Sequence, residues 1–341
     1  MGTRGPLTRP PPVDLDAIRT LPPIPLDLNL CVDLASKPQP DVPPLSVPRR
    51  PRRRDDRVAA LCFLLPSLLG LVIFMLLPLL ASLALSFTGS SMFGQTTFVG
   101  FRNYVQLLTI DPSFWGVLGN TVIYTIEYLV LNVVLSLTMA VWIANLRWGK
   151  QFFRILFFLP TFTPLVGSAI VWLLIFTPGG LLDWVTQSLG FDPPNLITNP
   201  DLAIQAIVIV SLWSGFGYNL LLFSAALDSV PTSYLDAAVI DGATAWQRFW
   251  SIKMPLISPA LFFGTVMTMI TSLQVFDQVY ALTRGGPGSS IMTLGYYIYD
   301  SGFQRYHMGY ASAIAWLLFL IIMGLTILQL RLQKKWVRYD V

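Results

Sequence analysis

One histidine, two cysteines and a 12% share of charged residues are all that 341 positions offer as reactive side chains. A soluble domain carries roughly 25% charged residues. The lone His307 leaves a histidine-based catalytic site or metal cluster without material; its neighbourhood of tyrosines reads as an ordinary membrane-interface setting. Cys31 and Cys62 are two isolated residues, neither a disulfide framework nor a metal-binding spacing. A Gly-x-x-x-x-Gly-Lys-[Ser/Thr] phosphate loop is missing: the Gly149-Lys150 pair has neither the earlier glycine nor the following hydroxyl. ATP is therefore not expected to bind this chain by that route.

What is present in abundance is apolar surface. With 54% hydrophobic residues, the chain exceeds what a water-soluble core of ordinary size hides, so most of it is expected to face lipid or other membrane helices. A helix rises about 1.5 Å per residue and the hydrocarbon core is about 30 Å thick, so each crossing takes about 20 apolar residues. Six runs qualify: residues 58–86, 117–146, 152–176, 203–227, 256–280 and 310–332. Lipid offers no partner for a free backbone amide, so helices are expected in all six. The third run contains Pro160, Pro164 and Gly167, which predict a kink. The expected fold class is an all-α integral membrane protein with six transmembrane helices.

Basic residues give an orientation, because Lys and Arg are retained on the cytoplasmic side. With the N-terminus inside, 19 of the 22 fall on that side, and only Arg102, Arg284 and Arg305 are left outside. Both termini are thus expected in the cytoplasm. Residues 1–57 hold 13 of the 26 prolines, a spacing that no helical or alternating period survives, and read as a disordered cytoplasmic tail. Its end, PRRPRRRDDR, abuts the first run and suits anionic lipid head groups. A cleavable signal peptide is not expected, since the first apolar run starts only near Val58 and is too long for one. Residues 58–335 form the membrane domain, and 336–341 a cytoplasmic end.

Few charges fall inside the runs. Glu127 lies within the second and Asp277 near the outer end of the fifth. Intramembrane carboxylates cost on the order of 2.5–3.5 kcal/mol on insertion scales, so each is a candidate for function. For Glu127 a pathway role and a pairing with a neighbouring helix or subunit both stay open. Asp277 stands with Gln274 and Gln278 at helical spacing, forming one polar stripe.

Between the fourth and fifth runs lies YLDAAVIDGATAWQRFWSIKMP, too polar to cross a bilayer and too patterned for a slack loop. Pro231 suits a first helical turn, Leu235, Ala238 and Val239 make an apolar face, and Gly242 suits a left-handed cap. Thr244 and Gln247 have capping-box spacing; Trp246, Phe249 and Trp250 share a face, and Pro255 is expected to stop the run. A helix pair over about 231–254 follows, rich in exposed aromatics of the kind that mark an interaction site. An amphipathic pair lying flat on lipid head groups fits the same pattern.

Two clusters suit a hydroxyl-rich solute. In SLWSGFGYN, Gly215 and Gly217 are expected to interrupt the fourth run, leaving Trp213, Tyr218 and Asn219 with no reason to face lipid. TMITSLQVFDQVY adds Thr271, Ser272, Gln274 and Asp277. Flat aromatic faces for C–H surfaces, with amides, hydroxyls and a carboxylate for hydroxyls, are what a sugar needs. Packing through small and polar residues is the competing reading.

The 231–255 segment resembles the cytoplasmic motif of permease subunits of binding-protein-dependent ABC importers, E-A-A, three residues, G, nine residues, I-x-L-P. The matching residues here are Asp236, Ala237 and Ala238, then Gly242, then Ile252 to Pro255, with Asp236 in place of the usual glutamate and Met254 in place of the usual leucine. LLPSLLGLVIFMLLPLLASLALSFT (residues 64–88), VGFRNYVQLL (99–108), LTRGGPGSSIMTLGYYIYDSGF (282–303) and MGYASAIAWLLF (308–319) are similar to the carbohydrate branch, the maltose and glycerol-phosphate importer type. The resemblance implies a coupling helix pair docking on cytoplasmic ATPase subunits through Asp236, Ala237, Ala238, Gly242, Trp246 and Phe249. It also implies a solute path using Gly215, Tyr218 and polar residues of the fifth run. Implied partners are a second, similar permease subunit, two ATPase subunits and an extracytoplasmic solute-binding protein touching outer loops that include residues 281–308. Membrane lipid and a small-molecule sugar complete the set, with no nucleic acid. ATP is used by the partner subunits, and no cofactor or metal is expected on this chain. The place implied is a prokaryotic cell membrane. A proton-coupled secondary transporter competes, but it calls for internal repeats and several intramembrane titratable groups.

Overall fold

A backbone in lipid must satisfy its own hydrogen bonds, and the chain does so almost entirely with helices. The computed structural model describes residues 54–90, 96–193, 195–287, 290–334 and 337. It divides into a unit ending at Leu64 and a unit beginning at Leu65. In the first, the described residues are the opening turns of helix α1 (Arg54–Leu71), with Leu61, Phe63 and Leu64 exposed. The expected tail thus lies outside the described residues as far as 53, and positions 54–57, read from sequence as its end, are helical.

In the larger unit, a wide π turn at Val72–Leu76 joins α1 to α2 (Leu77–Ser86). There follow α3 (Arg102–Val105), the long α4 (Pro112–Asn145), α5 (Lys150–Phe158), α6 (Leu165–Phe176) and α7 (Leu181–Ser188). Then come α8 (Ala203–Asp228), α9 (Thr232–Ile240), α10 (Ala245–Arg248), α11 (Met254–Leu273), α12 (Asp277–Leu282), α13 (Leu294–Tyr299) and α14 (Met308–Gln333). Among the described residues there is no β-strand, only a bridge between Thr88 and Phe98. Six helical stretches among the described residues are long and apolar enough to cross a membrane: Ala60–Ser86, Pro112–Asn145, Leu165–Ser188, Ala203–Asp228, Ala245–Leu273 and Met308–Gln333.

The count of six agrees with the sequence, but the third crossing does not begin where expected. Instead of a kinked helix over 152–176, α5 tightens into a 3₁₀ turn at Leu159–Phe162 and the chain then breaks at Thr163, which is extended with ψ 136°. Pro164 causes this, since a residue before proline is pushed out of the helical region. Only from Leu165 does a stretch of crossing length resume.

Helix α4 organises the unit. Its start is capped by Asp111, whose carboxylate accepts from the Ser113 amide at 2.9 Å, with Pro112 in the first turn where its missing N–H costs nothing. At 34 residues it is about 51 Å long, so it reaches beyond a 30 Å core. It contributes to all three buried clusters found among the described residues. Tyr124 and Tyr128 join Ala169, Phe176 and residues of α8 and α12; Phe114 and Val117 join Met269, Leu273, Leu294 and Ile314; Ala140 joins Phe223, Leu227, Ile257 and Leu261. Helix α2 lies along α14, where Gly309 meets the Thr88 carbonyl so closely that no Cβ fits.

Candidate functional site

The connection from α8 to α11 is built from two reciprocal caps. Helix α9 ends with Gly242 at φ 76°, the left-handed region that glycine adopts without Cβ strain. The Gly242 amide donates to the Val239 carbonyl (3.0 Å) and the Ala243 amide to the Ala238 carbonyl (2.9 Å), the paired bonds of a Schellman cap. Two residues later, Gln247 N donates to Thr244 Oγ1 at 3.3 Å, while Thr244 N donates to Gln247 Oε1 at 2.8 Å. Both caps follow the sequence expectation. Two details differ. Val239 is 52% exposed, so the inward face of α9 is Leu235 and Ala238 without it, and Ile240 is also exposed. Nor does Pro255 stop the second helix.

Instead, α10 widens into a π turn at Phe249–Lys253 and runs on into α11, giving one helical stretch from Ala245 to Leu273. Pro255 has no N–H, and its ring would crowd the carbonyl four residues back in an ordinary turn; the wider turn just before it relieves that conflict. Trp246, Phe249 and Trp250 form an aromatic cluster with centroid spacings of 5.3–6.3 Å, and Trp246 stands 70% exposed. On α9, Asp236 and Ala237 are also exposed.

At the other end of α11 lies a cavity of about 210 Å³. It brings together four of the sequence-predicted residues, Thr271, Ser272, Gln274 and Asp277, with Gln278 and two that the sequence reading missed, Tyr124 and Tyr128. The two rings stack at 5.7 Å and 4°, offering a flat apolar wall. Tyr124 donates to Ser211 Oγ at 2.9 Å and Tyr128 Oη accepts from Asn132 Nδ2 at 3.2 Å, so both are held in place. Tyr124, Tyr128, Asn132 and Ser136 recur every four residues along one face of α4, a polar stripe visible in the sequence. The polar stripe expected on the fifth run is not one continuous helix face. Helix α11 ends at Leu273, Gln274 and Phe276 leave the helical region, and α12 restarts at Asp277. The groups meet because the chain bends around the cavity.

Residues predicted on α8 go elsewhere. The helix is continuous from Ala203 to Asp228, so Gly215 and Gly217 do not interrupt it. They permit close packing: a Cβ on Gly215 would strike Tyr128 Oη, and one on Gly217 would strike the Phe157 carbonyl and come within 2.9 Å of Phe158 Cα. Asn219 is buried and donates to Asn132 Oδ1 (2.6 Å) and Thr268 Oγ1 (2.7 Å), tying α4, α8 and α11 together. Trp213 packs edge-on against Trp172 at 5.9 Å, and Tyr218 is 48% exposed; neither lines the cavity. Glu127 is partly buried, and among the described residues no salt bridge reaches it.

Residues 133–338 match the family model described as binding-protein-dependent transport system inner membrane component. The chain belongs to this family. The permease is 34% identical to the multiple sugar-binding transport system permease protein MsmF of Streptococcus mutans over 80% of this chain and 94% of that one. It is 33% identical to the sn-glycerol-3-phosphate transport system permease protein UgpA of Yersinia pestis, over 81% and 94% respectively. Its fold is similar to a chain in the crystal structure of a bacterial alginate ABC transporter in complex with alginate pentasaccharide-bound periplasmic protein. That match has a TM-score of 0.75 and 19% identity, and covers 84% of this chain and 98% of that one. The permease is a multi-pass inner-membrane protein.

Proposed function

We propose that this permease passes a neutral sugar or sugar-like solute through the Tyr124–Tyr128 cavity, driven by ATPase subunits that dock on the α8–α11 connection. One observation carries the reading: a single helical rod of about 44 Å, Ala245 to Leu273, bears the exposed aromatics at one end and the cavity residues Thr271 and Ser272 at the other. A continuous rod, its start fixed by the Thr244–Gln247 capping box, is suited to transmit motion from a docked partner to the solute site. Family membership supports separate ATPase subunits, a binding protein and a second permease subunit, with ATP consumed by the partners and no cofactor on this chain. The basic-residue asymmetry supports placing the connection and both termini in the cytoplasm. The cavity lining carries one carboxylate, Asp277, and no basic residue, which favours a neutral sugar over glycerol phosphate.

ATP-dependent uptake into proteoliposomes holding the assembled importer tests this. Gly242→Pro is expected to abolish uptake while leaving the chain inserted, because proline holds φ near −65° where the cap needs a positive value. Normal uptake by that variant, or uptake by the permease alone on a proton gradient, would refute the docking reading. Transport of glycerol phosphate in preference to neutral sugars would move the substrate assignment to the anionic class.

A further inference from the structure

A second cavity, of about 300 Å³, opens where α4 begins, against α13 and α14. Its functional lining is Gln106, Asp111, Tyr297, Arg305, His307 and Tyr310. Asp111 is its centre: Oδ2 accepts from the hydroxyls of Tyr297 and Tyr310, the latter at 2.5 Å. Burial pushes the Asp111 carboxyl up, but the bonds from Tyr297, Tyr310 and the backbone of Ser113 and Phe114 outweigh it and hold the group below the usual carboxylate range. The phenol of Tyr297 is pushed up to about 12, by burial first and by its bond to Asp111 second. The carboxylate is therefore ionised and both rings are fixed hydroxyl donors at neutral pH. Arg305 reaches Asp300 through Nε at 2.8 Å and is otherwise 57% exposed, which leaves guanidinium N–H groups turned to solvent.

The set is an aromatic wall with a carboxylate, a guanidinium and an amide, the complement of a sugar's C–H face and hydroxyls. The lining carries one carboxylate, Asp111, and its one guanidinium, Arg305, is already paired with Asp300, so an anionic ligand is disfavoured. Along α4, Tyr124 lies thirteen positions beyond Asp111, about 20 Å, so this site is distinct from the membrane cavity. Helix α13 stands between them: Tyr297 lines the second cavity, while Tyr296 packs on Phe276, a lining residue of the first.

We propose that this second cavity is a binding site for a neutral saccharide, an outer stop for the solute ahead of the membrane cavity. The proposal rests on the sugar-transport reading.

The full chain in lipid nanodiscs is titrated with glucose, maltose, trehalose and lactose, with glycerol 3-phosphate as the anionic control, and binding is followed by saturation-transfer NMR. Gln274→Ala, chosen to weaken the membrane cavity by removing one of its amides, is expected to leave one saturable neutral-sugar signal. In that background Arg305→Ala, and separately Gln106→Ala, which spares the Arg305–Asp300 pair, are expected to weaken it about ten-fold or more. No saturable signal, a signal indifferent to Arg305 and Gln106, or preferential binding of glycerol phosphate would overturn the proposal. Proteoliposome uptake by the wild-type importer keeps the two questions apart. Sugar uptake without the outer signal sinks the second site alone, whereas an outer signal without ATP-driven uptake sinks the transport reading alone.

Discussion

Helices α8 and α11 lie together at the centre of the bundle and treat their weak points in opposite ways. Helix α8 carries Gly215 and Gly217 mid-span and stays helical throughout. Helix α11 loses its helix at Gln274–Phe276, where neither glycine nor proline stands. The difference lies in the neighbours. Glycine in a helix costs about 1 kcal/mol relative to alanine, and α8 accepts that cost because the Phe157 carbonyl and the Tyr128 hydroxyl occupy the space a side chain would take. The break after α11 is supported from outside: the Val275 carbonyl, freed from the helix, accepts from Thr293 Oγ1 at 3.0 Å, and Gly295 lets that backbone approach. A helix breaks where its freed groups find new partners, and local propensity is secondary.

Substitutions can break this comparison. The largest effect is expected from Gly217→Leu, because the obstruction is backbone that cannot swing aside. Overpacking of this sort costs about 1–3 kcal/mol or more, and the yield of monodisperse detergent-extracted protein is expected to collapse along with uptake. A normal yield would mean that α8 and α5 are not held at this distance. Gly215→Ala is expected to be milder, lowering uptake about ten-fold, since its obstacle is the end of one side chain. Tyr128→Phe in the same chain removes that hydroxyl and is expected to recover most of the loss. If the double variant is no better than the single, Gly215 serves something other than the seat of Tyr128. The smallest effect is expected from Thr293→Val, which leaves the buried Val275 carbonyl without its donor at a cost of about 1–3 kcal/mol. Faster amide exchange confined to residues 274–277 is the expected signature, with Thr293→Ser near wild type. Unchanged exchange there would remove the explanation given for the break.

The sequence made the crossings legible because each needs only length and apolarity. The α8–α11 connection was equally legible, since its caps depend on residues at most five positions apart, such as Thr244 with Gln247 and Ala243 with Ala238. What it hid was everything settled by distant neighbours. Gly215 and Gly217 looked like helix breakers because Tyr128 and Phe157 are out of view in the local pattern. Gln274, Asp277 and Gln278 do meet, but around a bend that period counting turned into a straight stripe. Asn219 read as a solute ligand because a membrane asparagine demands partners, and the structure supplies them from Asn132 and Thr268. Tyr124 and Tyr128 were the avoidable omission: their four-residue spacing with Asn132 and Ser136 was there to be counted.

The π turn ahead of Pro255 holds one residue more than an α-turn would need. Each residue rotates a helix by about 100°, so Trp246 of α10 is out of phase, by roughly that angle, with a helical wheel extended back from Thr271. The extra residue thus acts as an angular offset built into the rod. Deleting one position within 249–253 would re-aim Trp246 by about a quarter turn while leaving the cavity composition untouched. Covariation between partner surface and helix face is then to be sought with the shifted register, not the ideal one.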